Sequence, residues 1–332
     1  MVELVNPASH QPLRLEGESY RDAAGNVFSR AGGIGRFCEV DNYASSFGTQ
    51  WNIFRETQID KPEDGLDASA TRLFRETGWS PEDLAGLDIL EVGSGAGRFS
   101  RAILQGTKAN LYSVDYSSAV DANLANNGTI APDRFHLFQA SIYELPFRDD
   151  SFDRVFCFGV LQHTPDFEAS VEALIRKAKP GGEIVVDFYP IRGFWTKINA
   201  KYMLRPFTRK MPHDRLLALV RRSIPWLLKL SLGMNRVGLH ALTRFLPIPD
   251  LRTIPQGVSP ELMREWMVMD TFDMLSPEHD HPQRLRKVCR MFERHGAKVT
   301  LAGFLDNGSG EAPVVRAIKC GTETGNSASV DR

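Results

Sequence analysis

The residue types that could do chemistry are densest in Asp88-Ile89-Leu90-Glu91-Val92-Gly93-Ser94-Gly95-Ala96-Gly97-Arg98. Ile89, Leu90 and Val92 form a short apolar run before a glycine cluster, the pattern of a buried strand. Gly93, Gly95 and Gly97 permit a tight turn and let a ligand approach the backbone closely. Arg98 to Gln105 then reads as a helix with Phe99, Ala102 and Ile103 on one side. Strand, glycine turn and helix make a nucleotide-type site at the carboxyl end of a strand. A second strand, Leu111 to Val114, delivers Asp115, 18 residues past Gly97. A carboxylate there can accept hydrogen bonds from both hydroxyls of a ribose.

Two ligands fit that chemistry. A dinucleotide site wants G-x-G-x-x-G, so that a helix N-terminus receives the pyrophosphate. Here the spacing is G-x-G-x-G, followed by Arg98, and Glu91 stands two residues before the first glycine. A carboxylate repels a pyrophosphate but suits an ammonium. S-adenosylmethionine carries an ammonium, a sulfonium and a ribose, and no phosphate. On these residues the sequence resembles the class I S-adenosylmethionine-dependent methyltransferases of the type 11 kind, whose first motif is E/D-x-G-x-G-x-G. The competing reading of the glycines is that they are ordinary turn residues. The resemblance implies a Rossmann-like, doubly wound, seven-stranded α/β sheet with S-adenosylmethionine as cofactor. It puts Glu91 at the ammonium, Gly93, Ser94, Gly95 and Gly97 along the cofactor, Asp115 on the ribose and Tyr116 on the adenine.

The elements that must position these residues alternate as strand and helix, the pattern of a parallel sheet. Ser117 to Asn127 reads as a helix, Phe135 to Phe138 as the third strand and Val155 to Phe158 as the fourth. Phe167 to Lys179 is a helix closed by Pro180-Gly181-Gly182, and Ile184 to Phe188 is the fifth strand. Three strand ends matter for chemistry. The third leads into Ser141-Ile142, where the family usually has an Asp for the adenine amine. Ser141 can accept that hydrogen bond without charge, and Ile142 can pack on the adenine face. The fourth leads into Gly159-Val160-Leu161-Gln162-His163-Thr164-Pro165-Asp166, similar to the family's G-V-L-H/Q-H-x-x-D segment. The resemblance implies Gly159 under the methionine part, Gln162 at the cofactor and His163 toward the substrate. His163 is either a general base with a pKa near neutrality or a histidine that orients its loop. The fifth strand ends at Tyr189, a candidate substrate contact.

The chain has 332 residues, 42% hydrophobic and 24% charged, enough for a large core. Its first 40 residues are short and turn-rich and read as a small β-module. Asn6-Pro7-Ala8-Ser9 and Gly33-Ile34-Gly35-Arg36-Phe37 are similar to the frame of the zinc ribbon that opens many such methyltransferases, with the cysteines gone. Zinc needs about four ligands, so no metal is expected. Residues 41–80 form a linker containing Tyr43-Ala44-Ser45-Ser46-Phe47-Gly48-Thr49-Gln50-Trp51. Its aromatics either pack on the main domain or cap the cofactor, which makes Tyr43, Gln50 and Trp51 candidates for contact. Residues 81–190 are the cofactor-binding core, 191–281 an inserted lid, 282–320 the rest of the core and 321–332 a disordered polar tail. Four cysteines without paired spacing suit a reducing cytosol. No signal peptide is apparent and no apolar run approaches about 18 residues, so the expected location is cytoplasmic.

Charge is uneven along the chain. Residues 191–250 hold twelve Lys and Arg against two Asp, a net +10 in a chain of net charge −1. Asp214–Arg222 and Trp226–Leu232 read as short amphipathic helices broken at Pro225 and Gly233. Such a lid is either solvated or meets an anionic small-molecule acceptor or, peripherally, a membrane surface. No nucleic-acid module is visible and none is expected. The lid ends in Asp270-Thr271-Phe272-Asp273-Met274-Leu275-Ser276-Pro277-Glu278-His279-Asp280-His281-Pro282, which is similar to a segment of a bacterial subgroup of these methyltransferases. Asp273 and His279 are candidate substrate contacts there. The resemblance implies O-, N- or C-methylation, with a sugar as one acceptor class, and the basic lid adds a phosphorylated or diphosphate metabolite or a lipid-linked one. Rival classes are a non-catalytic scaffold, for which Ser141 is the hint, and an NAD-type oxidoreductase, disfavoured by the glycine spacing and Glu91. The acceptor atom and the oligomeric state are open at this level.

Overall fold

The computed structural model describes residues 2–39, 42–60, 67–251, 259–308 and 310–321. The tail expected to be disordered lies outside them from residue 322 onward. Four short strands open the chain: β1 (Arg14–Glu16), β2 (Ser19–Arg21), β3 (Val27–Ala31) and β4 (Ile34–Arg36). Helices α1 (Ser45–Ile53) and α2 (Ala68–Thr77) follow. Then come β5 (Asp88–Val92), α3 (Arg98–Gly106), β6 (Asn110–Asp115), α4 (Ala119–Asn127) and β7 (Phe135–Gln139). The second half has β8 (Phe152–Cys157), α5 (Phe167–Lys177), β9 (Ala178–Asp187), α6 (Ala200–Thr208), α7 (His213–Arg236) and α8 (Pro260–Leu275). The chain closes with α9 (Leu285–Arg294), β10 (Ala297–Asp306) and β11 (Glu311–Lys319).

The sheet runs β1-β2-β3-β4-β7-β6-β5-β8-β9-β11-β10. Its central seven strands, from β7 to β10, are the doubly wound sheet read from the sequence. From β7 to β9 the pairings are parallel, and β11 enters antiparallel to both β9 and β10. The first module is not a separate ribbon. Strand β4 pairs parallel with β7, Gly35 opposite Phe138, so the module lengthens the sheet. Hydrogen bonds from Asn6 and Asn26 to Asp22 tie its turns together.

Strand order reverses at β5: β6 and β7 lie to one side, β8 and β9 to the other. A crevice must open beyond the carboxyl ends of strands at such a switch point. The alternation of side chains along β5 sends Leu90 and Val92 into the core shared with α5 and α9. Ile89 faces the core shared with α2 and α3, and Glu91 falls on that same side.

The lid joins β9 to α9 and has its own core, in which α7 and α8 pack through Leu216, Leu217, Val220, Ile224, Met267 and Phe272. The two short helices expected here are one helix of 24 residues that runs through Pro225 and Gly233. Each buried Leu, Ile or Val side chain contributes about 1.5–3 kcal/mol, and α7 buries five of them at helical spacing. One interior proline costs about 3 kcal/mol, so packing wins. Asp270 to Leu275, the start of the segment that ends the lid, is the last part of α8.

Candidate active site

The glycine turn at the end of β5 is built as a strap over β6. The amides of Gly93 and Ser94 donate to the Val114 carbonyl at 2.7 and 3.1 Å, and the Gly97 amide donates back to Ser94 at 2.9 Å. Gly93 and Gly97 have φ of +81° and +85°. A Cβ on Gly93 would lie 2.1 Å from Val160, and one on Gly97 2.0 Å from Asn123, so neither position admits a side chain. Asp115 ends β6 directly across from the turn. Its Oδ2 accepts from the Gly95 amide at 2.8 Å, and its Oδ1 accepts from the Ser117 amide and hydroxyl at 2.8 and 2.7 Å.

Beneath the turn lies a buried polar plug. Glu91 Oε2 accepts from Ser100 on α3 and, at 2.7 Å, from Ser113 on β6. Asn123 donates to Ser100 at 2.9 Å, and Asn127 donates to the Gly97 carbonyl at 2.9 Å. Burial without a cation pushes the Glu91 carboxyl up to about 7.

A cavity of about 660 Å³ opens beyond the strand ends, between the glycine turn, α1 and the lid. Helix α1, with Gln50 and Trp51, and Tyr43 just before it form one wall. The Trp51 indole lies directly against Gly95, 3.0 Å from where a Cβ would stand. Asp115, Tyr116 and Ile142 line the next wall, and the Tyr43 and Tyr116 rings meet at 4.9 Å. Gly159 lines the floor, and a Cβ there would meet nothing within 4 Å. Among the described residues, two buried polar atoms of wall residues, Gln50 Oε1 and Ser94 Oγ, have no hydrogen-bond partner. Burying such atoms unpaired costs about 1–3 kcal/mol each, which a ligand with N–H donors would recover.

The opposite end of the cavity is charged. His163, Tyr189 and Asp273 line it together, with the His163 and Tyr189 rings edge to face at 5.4 Å. The Tyr189 hydroxyl donates to Asp273 at 3.2 Å. His163 Nδ1 lies 3.1 Å from the His279 carbonyl, and burial lowers the pKa of the ring. Asp270, one turn before Asp273 on α8, is raised to about 8 by burial and by its neighbour's charge. Arg72, Arg98 and Lys201 face the same space. Burial lowers Arg98 to about 10; its guanidinium donates to Ser69 at 3.1 Å and to Gln58 at 2.9 Å. Arg72 is paired with Asp187 and Glu76, and Lys201 with Asp280.

Residues 90–186, which run from β5 through the glycine turn to β9, match the methyltransferase domain family. Over these residues the chain carries a methyltransferase domain. The domain is 25% identical over 145 residues to a tRNA U34 carboxymethyltransferase of Nautilia profundicola, covering 44% of this chain and 42% of that protein. It is 28% identical over 134 residues to a ubiquinone biosynthesis O-methyltransferase of Pseudomonas fluorescens, covering 38% of this chain and 56% of that protein. The chain thus spans about half the length of the curated relatives it matches. A solved structure of magnesium protoporphyrin IX methyltransferase from Synechocystis overlays on 83% of this chain and 93% of that one, at 14% identity and a TM-score of 0.47.

Five sequence-predicted residues of this methyltransferase domain lie off the cavity wall, each for a local reason. Glu91 points down into the plug because strand alternation turns it toward α3, so it supports the turn rather than meeting an ammonium. Gly97 is the N-cap of α3, pressed against Asn123. Ser141 accepts from the Tyr143 amide at 3.2 Å and caps its own turn, leaving Ala140 and Ile142 on the wall. Gln162 is fully buried inside the short turn that carries His163. His279 contributes its carbonyl to His163 while its ring stacks on His281. Sequence reading passed over Arg72, Arg98, Lys201 and Asp270. Arg98 had a signal, since it follows the last glycine at the start of α3, whereas Arg72 and Lys201 arrive only through tertiary packing.

Proposed function

We propose that this chain transfers a methyl group from S-adenosylmethionine to a small-molecule acceptor held between the strand ends and the lid. The observation that carries the reading is the pair of unpartnered atoms, Gln50 Oε1 and Ser94 Oγ, beside a glycine turn held by Asp115. Gln50 Oε1 would accept from the cofactor's ammonium and Ser94 Oγ would sit alongside. Asp115 Oδ2, with one hydrogen bond in place, has a lone pair left for a ribose hydroxyl. Tyr43, Tyr116 and Ile142 would enclose the adenine, Trp51 would cover the turn, and Arg98 would face the methionine carboxylate.

When bound, S-adenosylmethionine supplies an electrophilic methyl group, which an in-line nucleophile takes as the carbon–sulfur bond breaks and its electron pair stays on sulfur. The chain's share is positioning and exclusion of water. His163 Nε2 takes the acceptor's proton where the acceptor is a hydroxyl or a protonated amine. Tyr189 and Asp273 orient the acceptor, and protonated Asp270 donates a hydrogen bond to it.

The acceptor class that suits this end of the cavity is an oxygen-rich, anionic one: a sugar, a phosphorylated or diphosphate metabolite, or a lipid-linked relative. Arg72 and Lys201 supply cationic wall, and Arg244 of the lid lines the same cavity. The reaction is O- or N-methylation, or C-methylation at an activated carbon.

Calorimetric titration with S-adenosylhomocysteine, beside NAD, tests the reading. Micromolar binding of the former alone is expected. Binding of NAD in its place would make the protein an oxidoreductase, and binding of neither would leave a scaffold.

A further inference from the structure

Helix α7 has two faces of different character. Leu216, Leu217, Val220, Ile224 and Leu227 point inward to the lid core. The outward face carries Arg215, Arg222, Lys229 and Arg236, each seven residues from the next, all exposed. Beside that row runs a second one, Leu219, Trp226, Leu230 and Val237, with Trp226 58% and Val237 70% exposed. Seven residues are almost two helical turns, so each row lies along one edge of the helix. Among the described residues none of the four basic side chains in the first row is in an ion pair.

The pattern extends beyond α7. Among the described residues, 14 of the 18 exposed large hydrophobics fall between Phe194 and Phe245. Ten of the twelve basic residues of 191–250 are exposed as well. Such an apolar surface needs a partner, because water alone would leave it unfavourably hydrated. Phe194 and Trp195, 72% and 56% exposed, meet with ring centroids 4.3 Å apart and planes tilted by 38°. The Trp195 carbonyl accepts from Arg244, which lines the cavity, so this surface reaches the cavity mouth.

We propose that the lid docks on an anionic lipid bilayer, with α7 lying in the plane of the interface. The apolar row enters the headgroup boundary and the basic row meets lipid phosphates and carboxylates. Among the described residues no helix is long and apolar enough to cross a membrane, which fits a chain that lies on the bilayer. Charge selects the occupant. A second copy docked through the same face would set one exposed basic row against another, and a nucleic acid would leave the Leu, Trp and Val row unused. Docking in this way brings the cavity mouth to the membrane surface, so the acceptor is a lipid-borne one. That last step rests on the methyl-transfer reading; the docking itself does not.

The test is sedimentation of the full chain with vesicles of phosphatidylcholine alone and of phosphatidylcholine with phosphatidylglycerol. Binding is expected to the mixed vesicles only and to fall at high salt. A basic residue near an anionic surface contributes roughly fivefold in affinity. The triple variant Arg215→Glu, Arg222→Glu, Lys229→Glu is therefore expected to bind at least about a hundredfold more weakly. Trp226→Ser with Leu230→Ser is expected to lose binding at unchanged charge. Equal binding to both vesicle types, or wild-type binding by both variants, would overturn the proposal. So would a dimer, or an RNA complex, that the same variants abolish in the absence of vesicle binding. S-adenosylhomocysteine titration of every sample shows that the variants are folded and separates the two readings. Vesicle binding without it leaves the docking standing and the methyl-transfer reading fallen, and the reverse result does the opposite.

Discussion

His163 Nδ1 faces the carbonyl oxygen of His279 at 3.1 Å. A carbonyl only accepts, so the ring proton sits on Nδ1 and the lone pair on Nε2. One nitrogen ties down the 279–281 loop, and the other is the one that, in the proposed reaction, takes a proton from the acceptor. Burial lowers the ring's pKa from 6.5, so the neutral form prevails at pH 7. His163→Gln should lower kcat by about 10²- to 10⁴-fold and leave S-adenosylhomocysteine affinity within about threefold, as a residue acting on protons does. The acid limb of the wild-type pH–rate profile should lie below pH 6.5. Equal losses of rate and cofactor affinity would reduce His163 to a tie for its loop.

Asp115 holds the glycine turn and, in the proposed function, also receives the ribose. Asp115→Asn keeps the shape but replaces one acceptor oxygen with an amide and removes the charge. Hydrogen bonds to a charged group contribute about 1.5–3 kcal/mol each, so S-adenosylhomocysteine should bind about a hundredfold more weakly by calorimetry. Unchanged affinity would move the ribose elsewhere in the cavity.

Glu91 makes stability depend on pH. Its carboxyl titrates near 4.5 in the unfolded chain and is raised to about 7 when folded. The folded state holds the proton more tightly, so stability is greatest below about pH 4.5 as far as this group is concerned. It is lost as pH rises toward 7, by about 3 kcal/mol. Glu91→Gln keeps an oxygen for Ser100 and Ser113 and removes the titration. The variant should melt at higher temperature than wild type at pH 8, and the gap should close at pH 5. A gap independent of pH would mean that Glu91 is ionised in the fold through a partner other than those two serines.

The central sheet and the turn were legible because both rest on local signals. Apolar runs of strand length and glycines at fixed spacing leave few ways to fold, and Asp115 follows from the next strand's end. Ser94, Gly159, Ile142 and Tyr116 reach the wall for the same reason. What was not legible depends on which way a side chain turns or on distant packing. Glu91 sits in the motif, yet strand alternation points it away from the ligand space. Ser141 and Gln162 are adjacent to wall residues and are claimed by their own turns. Arg72 is brought to the cavity by Asp187, 115 residues later in the chain. Helix α7 was misread because Pro225 is a local stop signal, whereas the force that keeps the helix whole comes from α8.

Pro225 therefore carries a direct test of that account. It lies on the exposed side of α7, has no N–H to give the Arg221 carbonyl, and crowds that carbonyl with its ring. Alanine is about 3 kcal/mol better than proline inside a helix, while losing the proline frees the unfolded chain by up to about 1 kcal/mol. Pro225→Ala should thus raise stability by about 2–3 kcal/mol, seen as a higher urea midpoint at unchanged slope. Hydrogen exchange of the amides in residues 213–236 should slow in parallel, because the gain is local to α7. A lower midpoint, or faster exchange on both sides of residue 225, would mean that the proline holds a bend the lid needs, and that α7 is two helices after all.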